Sequence, residues 1–172
     1  MKIHLPKKRA SGYTIIELII SIFILILIFT VAQTNYRGYI LNKSLDAARS
    51  QMISDIRLAQ EYALAGRKSL TCSGLNGYTF TLNAASNATS YLVRASCGGS
   101  FETVKSVSLS KIATNVTANY SGSTGTTNGI LFKILGQGND ISTTNTNVVI
   151  TLSQETSGYS RAITISQGGE IK

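Results

Sequence analysis

Few residues in this 172-residue chain could do chemistry, and their placement narrows what that chemistry is. One carboxylate, Glu17, stands inside a run otherwise free of charge from Tyr13 to Gln33. A carboxylate in the middle of a membrane span costs roughly 2.5–3.5 kcal/mol on insertion scales, and less near the interface. A residue kept at that cost points to a function and to a partner of opposite charge. The single histidine, His4, lies in the basic stretch before that run. The eight carboxylates are scattered, with no pair at a spacing suited to general acid–base work. Cys72 and Cys97 follow the apolar run and are too few for a structural zinc site. In an oxidising compartment they favour a disulfide, worth roughly 3 kcal/mol in the chain-entropy model, over two buried thiols.

The element that must position Glu17 is a long helix. From Ile15 to Ala32 the residues are almost all aliphatic, with Ser21 and Thr30 as tolerated hydroxyls. These positions span about 27 Å as helix, just enough for a bilayer core. No Pro or Gly interrupts them, so no kink is expected. Past Gln33 the chain turns polar, and Gly38 is a soft point costing about 1 kcal/mol against Ala. Then Leu41, Leu45, Ala48, Met52, Ile56, Ala59 and Ala63 recur at helical spacing, with Lys43, Asp46, Arg49, Asp55, Arg57 and Glu61 expected mostly elsewhere. The stripe suits a coiled-coil seam or a sheet; its small alanines favour the sheet. Gly66 reads as the C-terminal cap, followed by Arg67 and Lys68. A helix from Tyr13 to Ala65 would be roughly 80 Å long.

Beyond Ser69 the pattern switches to period two. Expected strands are Leu70–Cys72, Tyr78–Leu82, Tyr91–Ser96, Thr103–Leu109, Asn115–Tyr120, Ile130–Leu135, Val148–Leu152 and Ala162–Ser166. Turn-prone runs divide them, and the stretches 121–129 and 142–147 are low-complexity loops. One long helix followed by many short strands predicts an α+β fold, with antiparallel sheets covering the helix.

Gly12 followed by YTIIEL, after a short basic leader, resembles the type IV prepilin signature. The stretch DIRLAQEYALAGRKSLTC, then ILFKILGQGN and RAITISQGGEIK, is similar to the GspH/FimT group of minor pilins. The resemblance implies a leader over 1–12, a transmembrane or filament-core helix over 13–34, an amphipathic continuation over 35–66 and a β-rich head over 67–172. It implies cleavage between Gly12 and Tyr13 by a prepilin peptidase, N-methylation of Tyr13, and a Glu17 that neutralises the terminal amine of a neighbouring subunit. Most pilins carry Phe where this chain has Tyr13. The implied partners are other pilin or pseudopilin subunits, an inner-membrane assembly platform, and membrane lipid before assembly.

The formal charge of +8 divides accordingly: Lys2, Lys7, Lys8 and Arg9 are in the leader, and removing them leaves 12 basic against 8 acidic residues, or +4. Leader basicity is then a topology signal, with the N-terminus cytoplasmic and the head outside. Cleavage would also remove His4, which excludes Ser–His and Cys–His catalysis and His-based metal sites; neither enzymatic activity nor a cofactor is expected. Two alternatives stand beside this. Thr30-Val31-Ala32 could be an ordinary signal-peptidase site releasing a secreted protein from Gln33, although Glu17 and the Gly12 junction would then go unexplained. Some FimT-like pilins resemble DNA-binding modules with a basic Gly-Arg-x-Arg tail. Here the tail reads Gly169-Glu170-Ile171-Lys172, leaving Arg161 and Lys133 as scattered cations for nucleic acid.

Overall fold

The computed structural model describes residues 12–68, 72–113, 115–142, 147–156 and 158–172. The proposed leader, apart from Gly12, therefore lies outside the described residues, as do positions 70 and 71 of the first expected strand and 143–146 of the second loop. One helix, α1 (Ile15–Leu64), runs without a break. The chain divides into two compact units at Gly38, the position where the sequence has its soft point.

In the first unit α1 is exposed from Ile15 to Val31 and apolar on nearly every side there. Ile15 to Phe29 keep about half or more of each large apolar side chain in contact with solvent, from 82% at Ile15 to 48% at Ile22. A helix that is apolar all round belongs in a membrane or a protein core. By length and composition α1 carries a segment able to cross a bilayer.

In the second unit the expected stripe is the core. Leu45, Ala48, Met52, Ile56, Ala59 and Ala63 are all buried, each at 1% exposure or less. Seven strands follow: β1 (Leu75–Leu82), β2 (Ser90–Cys97), β3 (Ser100–Ser108), β4 (Val116–Ser121), β5 (Gly129–Lys133), β6 (Asn147–Gln154) and β7 (Ser160–Ser166); the stripe joins one hydrophobic cluster with buried residues of all but β3, whose half-buried Val107 packs against it. The strands form two antiparallel sheets, ordered β3-β2-β1-β5 and β4-β6-β7. Alternation sets which side chains face inward: Tyr91, Val93 and Ala95 of β2, and Val148, Ile150 and Leu152 of β6. The alanines of the helix stripe leave room for Tyr91 and Phe80, whose ring centroids lie 5.1 Å apart. The fold is thus α+β, with the layout of a pilin.

The helix ends as its sequence predicts. Gly66 is left-handed at φ 58°, and the N–H groups of Gly66 and Arg67 bond Ala63 O and Tyr62 O. These two bonds form a Schellman cap. Strand ends differ from expectation in several places. Cys72 is in no strand, Leu109 opens a short 3-10 turn (Leu109–Lys111), and Ile134 and Leu135 turn away from β5 in a second one (Ile134–Gly136). β5 can lie against β1 only because position 129 is glycine: a Cβ there would stand 2.2 Å from Phe80 O.

Candidate assembly site at the start of the long helix

Thr14 and Glu17 build the first turn of α1. The Thr14 backbone N–H donates to Glu17 Oε2 at 3.0 Å and its hydroxyl donates to the same oxygen at 2.9 Å. In return the Glu17 N–H donates to Thr14 Oγ1 at 3.3 Å. This is a capping box, Thr at the N-cap and Glu three residues on, which satisfies helix donors that would otherwise lack partners. The signal was readable as Thr-x-x-Glu before an apolar run, and it gives Glu17 a local task beside any intermolecular one. Both bonds fall on Oε2, so among the described residues Oε1 has no donor. Around the carboxylate lies bare apolar surface: Tyr13 is 89% exposed, and Ile16, Leu18 and Ile20 are exposed too. Ser21 adds no charge, its hydroxyl turning back to Glu17 O at 2.7 Å. The first turn therefore offers one anion, half occupied, on an uncovered apolar stripe.

A second carboxylate in α1 behaves otherwise, and the sequence placed it wrongly. Asp55, expected away from the stripe, is buried at 2% exposure. Lys105 Nζ of β3 reaches its Oδ1 at 2.7 Å, Tyr91 Oη of β2 donates to Oδ2 at 2.8 Å, and Gln51 Nε2 lies 3.2 Å from both oxygens. Burial pushes the Tyr91 hydroxyl far above its usual pKa, and the bond and charge of Asp55 push it further. No periodicity signal could have found this site, because it depends on two strands bringing a phenol and an amine to one turn of the helix.

Cys72 and Cys97 are joined by a disulfide across a sequence separation of 25. Of the cations considered for nucleic acid, Arg161 is engaged: its Nε bonds Asp46 Oδ1 at 2.8 Å and its Nη2 bonds Asn42 Oδ1 at 2.6 Å. The tail folds back on β7, Thr164 and Lys172 exchanging backbone bonds, with Lys172 Nζ 3.3 Å from Glu170. Lys133 stays exposed, apart from them in sequence and on β5. Among the described residues no group of three or more His, Cys, Asp and Glu side chains could hold a metal ion.

Neither a curated protein nor a solved structure matches the chain. The family described as type II transport protein GspH matches residues 48–169, from the core-facing half of α1 to the tail beyond β7. A pilin layout, a wholly exposed apolar start to α1 and a match over most of its length place this chain in the GspH family of pseudopilins.

Proposed function

We propose that this chain is a minor, pilin-like subunit of the type II secretion pseudopilus, stored in the inner membrane and assembled from there. The observation that carries the proposal is Glu17: five residues past Gly12, with one oxygen that no donor among the described residues engages, on a helix half whose apolar side chains are exposed. A prepilin peptidase cleaves between Gly12 and Tyr13 on the cytoplasmic face, and the new amine of Tyr13 is methylated. The first half of α1 waits in the bilayer with the head extracytoplasmic, then moves into the core of a growing filament on the assembly platform. There Glu17 meets the terminal amine of a neighbouring subunit. In such apolar surroundings a charge pair is far stronger than in water, and a register error that separates the charges is correspondingly expensive.

The match to a type II transport family favours the secretion pseudopilus over a type IV pilus or a DNA-uptake filament, which need the same N-terminal chemistry. In a strain lacking this chain, exported enzymes are expected to accumulate in the periplasm while surface pili remain normal. Normal export with lost or shortened pili would reassign the subunit to a type IV pilus. Mass analysis of the chain from wild-type cells should give a methylated N-terminus at Tyr13; a terminus at Gln33 would instead mean an ordinary secreted protein.

A further inference from the structure

Two open sheets present four edges, and among the described residues the chain itself covers three. Outside β5, Lys133 N–H bonds Gly138 O and Asp140 N–H bonds Leu131 O. Outside β7 runs the tail, through Thr164–Lys172 and Ser166–Glu170 bonds. Outside β4, Ala88 and Ala118 exchange both backbone bonds. The fourth edge is β3, at nine residues the longest strand, and among the described residues no backbone segment pairs with its outer side. Phe101 and Val104 are exposed there, at 56% and 42%. An open edge with exposed apolar side chains is a template for another strand; β3 carries a bulge at Val104, so regular pairing is confined to the stretches on either side of it.

Beside this edge lies a cation that lacks an anion. Arg94 of β2 lays its guanidinium over the Phe101 ring, 4.8 Å from the centroid, and gives one bond to Thr81 Oγ1 at 3.1 Å. Among the described residues its enclosed Nε has no acceptor and no carboxylate reaches the side chain. An arginine flattened on an aromatic ring has the composition of an interface anchor.

We propose that the β3 edge is a docking site for an extended segment of another subunit of the same filament, which adds a strand and sets a carboxylate against Arg94. The segment's source rests on the filament assignment above; the edge and its missing anion do not. Main-chain bonds to β3 supply affinity, while the acid and an apolar residue against Phe101 supply selectivity. A second copy of β3 does not meet the requirement. Its only carboxylate, Glu102, stands opposite buried Ala95 on the core-facing side, whereas Arg94 stands opposite Thr103 on the other.

The test places a photo-crosslinking amino acid at Thr103 of the full chain, expressed in its own cells, with Gln137 in the covered β5 hairpin as the control. The expected product is an adduct with another subunit bearing its own Gly-aromatic-Glu N-terminus, mapped to an extended acidic segment. Replacing that acid by Gln in the partner, which leaves this chain untouched, should lower the yield about tenfold, as loss of a charge-assisted bond implies. Arg94→Glu should do the same and be restored by Arg at the partner position. Three results overturn the proposal: no adduct above the Gln137 control, an adduct with a second copy of this chain, or an adduct with a protein outside the filament. Export in the deletion strain separates the two layers. Blocked export without a Thr103 adduct sinks the docking edge alone, whereas normal export sinks the pseudopilus assignment whatever the adduct.

Discussion

Glu17 and Asp55 stand on the same helix and resolve the problem of a carboxylate among apolar neighbours in opposite ways. Asp55 gathers donors from two strands and its own helix, and its surroundings are closed. Among the described residues Glu17's side chain bonds only Thr14 and keeps one oxygen unengaged, and the apolar side chains around it are exposed. A carboxylate satisfied within its own chain holds a fold together; one left half satisfied on an apolar stripe is where the proposed filament contact would supply the missing donor. The sharpest way to break this contrast is Glu17→Gln. The amide oxygen can still accept from Thr14, so the cap survives, but the charge is gone. We expect assembled subunit and enzyme export to fall more than about 100-fold, the loss that follows when one member of a desolvated ion pair is removed. Glu17→Ala should do no worse in export, while also losing about 1 kcal/mol of helix capping. Wild-type export by Glu17→Gln would reduce Glu17 to a capping residue.

The same comparison predicts that Asp55 acts through stability alone. Asp55→Ala leaves the Lys105 amine and the Tyr91 hydroxyl facing a carboxylate that is no longer there. Removing one partner of a buried pair destabilises by roughly 3–5 kcal/mol, and partial exposure of Lys105, at 38%, sets the expectation at the low end, about 3 kcal/mol. Thermal unfolding of the full chain in detergent should show the loss. Export by this variant should recover at low growth temperature, whereas export by Glu17→Gln should not. A variant that melts with the wild type would mean that the network is ornamental.

The long-range plan of the molecule was legible in the sequence, and its polar interior was not. The stripe from Leu45 to Ala63 and the cap at Gly66 obey local rules, spacing and conformational freedom, that one stretch of chain displays by itself. Six of the expected strands overlap observed ones within a few residues for the same reason; a seventh, Thr103–Leu109, begins late and runs one residue into a turn. Asp55 was misplaced because its burial is decided by Tyr91 and Lys105, 36 and 50 residues away in sequence. The Thr14–Glu17 box, by contrast, is written in four consecutive residues, a local signal of the same kind as the cap at Gly66. Leu135 was expected to extend β5; the chain turns there instead, since the Leu135-Gly136 pair forms the tip of a hairpin that covers the sheet edge.

A smaller effect is expected at high pH. Burial, with Asp55 beside it, holds the Tyr91 hydroxyl protonated in the folded chain far above the pKa near 10 it has when unfolded. Below about pH 10 both states keep the proton, and the stabilising contribution is complete. Above it the unfolded chain ionises and the folded chain does not, so stability falls by up to about 1.4 kcal/mol per pH unit from this one group. Tyr78 and Tyr120, also raised by burial, add to the slope. Tyr91→Phe should be less stable at neutral pH, with Asp55 short of a donor, yet lose stability less steeply between pH 10 and 11. Parallel denaturation curves for the two chains across that interval would remove Tyr91 from the account.

The smallest predicted effect concerns Leu135. Among the described residues, four other than glycine take a positive φ: Asn87, Asn115, Asn128 and Leu135, the last at φ 53° and ψ 33°. Asparagine tolerates that conformation because its short side chain bonds locally, whereas for leucine it costs roughly 1 kcal/mol or more. Gly136 follows at φ 75°, so both residues at the hairpin tip are left-handed, the arrangement for which Asn-Gly is preferred. Leu135 gains little in return, since it is 70% exposed. Leu135→Asn should therefore raise the melting temperature of the full chain by about 2–4 °C, equivalent to about 1 kcal/mol for a chain of this size. Leu135→Gly should gain less, because glycine adds freedom to the unfolded chain. An unchanged or lowered melting temperature would mean that the placement of Leu135 beside the Gly66 cap, close enough for its Cδ2 to meet a side chain added there, offsets the strain. The strained leucine would then be one more clasp holding the head on its helix, on the side of Asp55 rather than of Glu17.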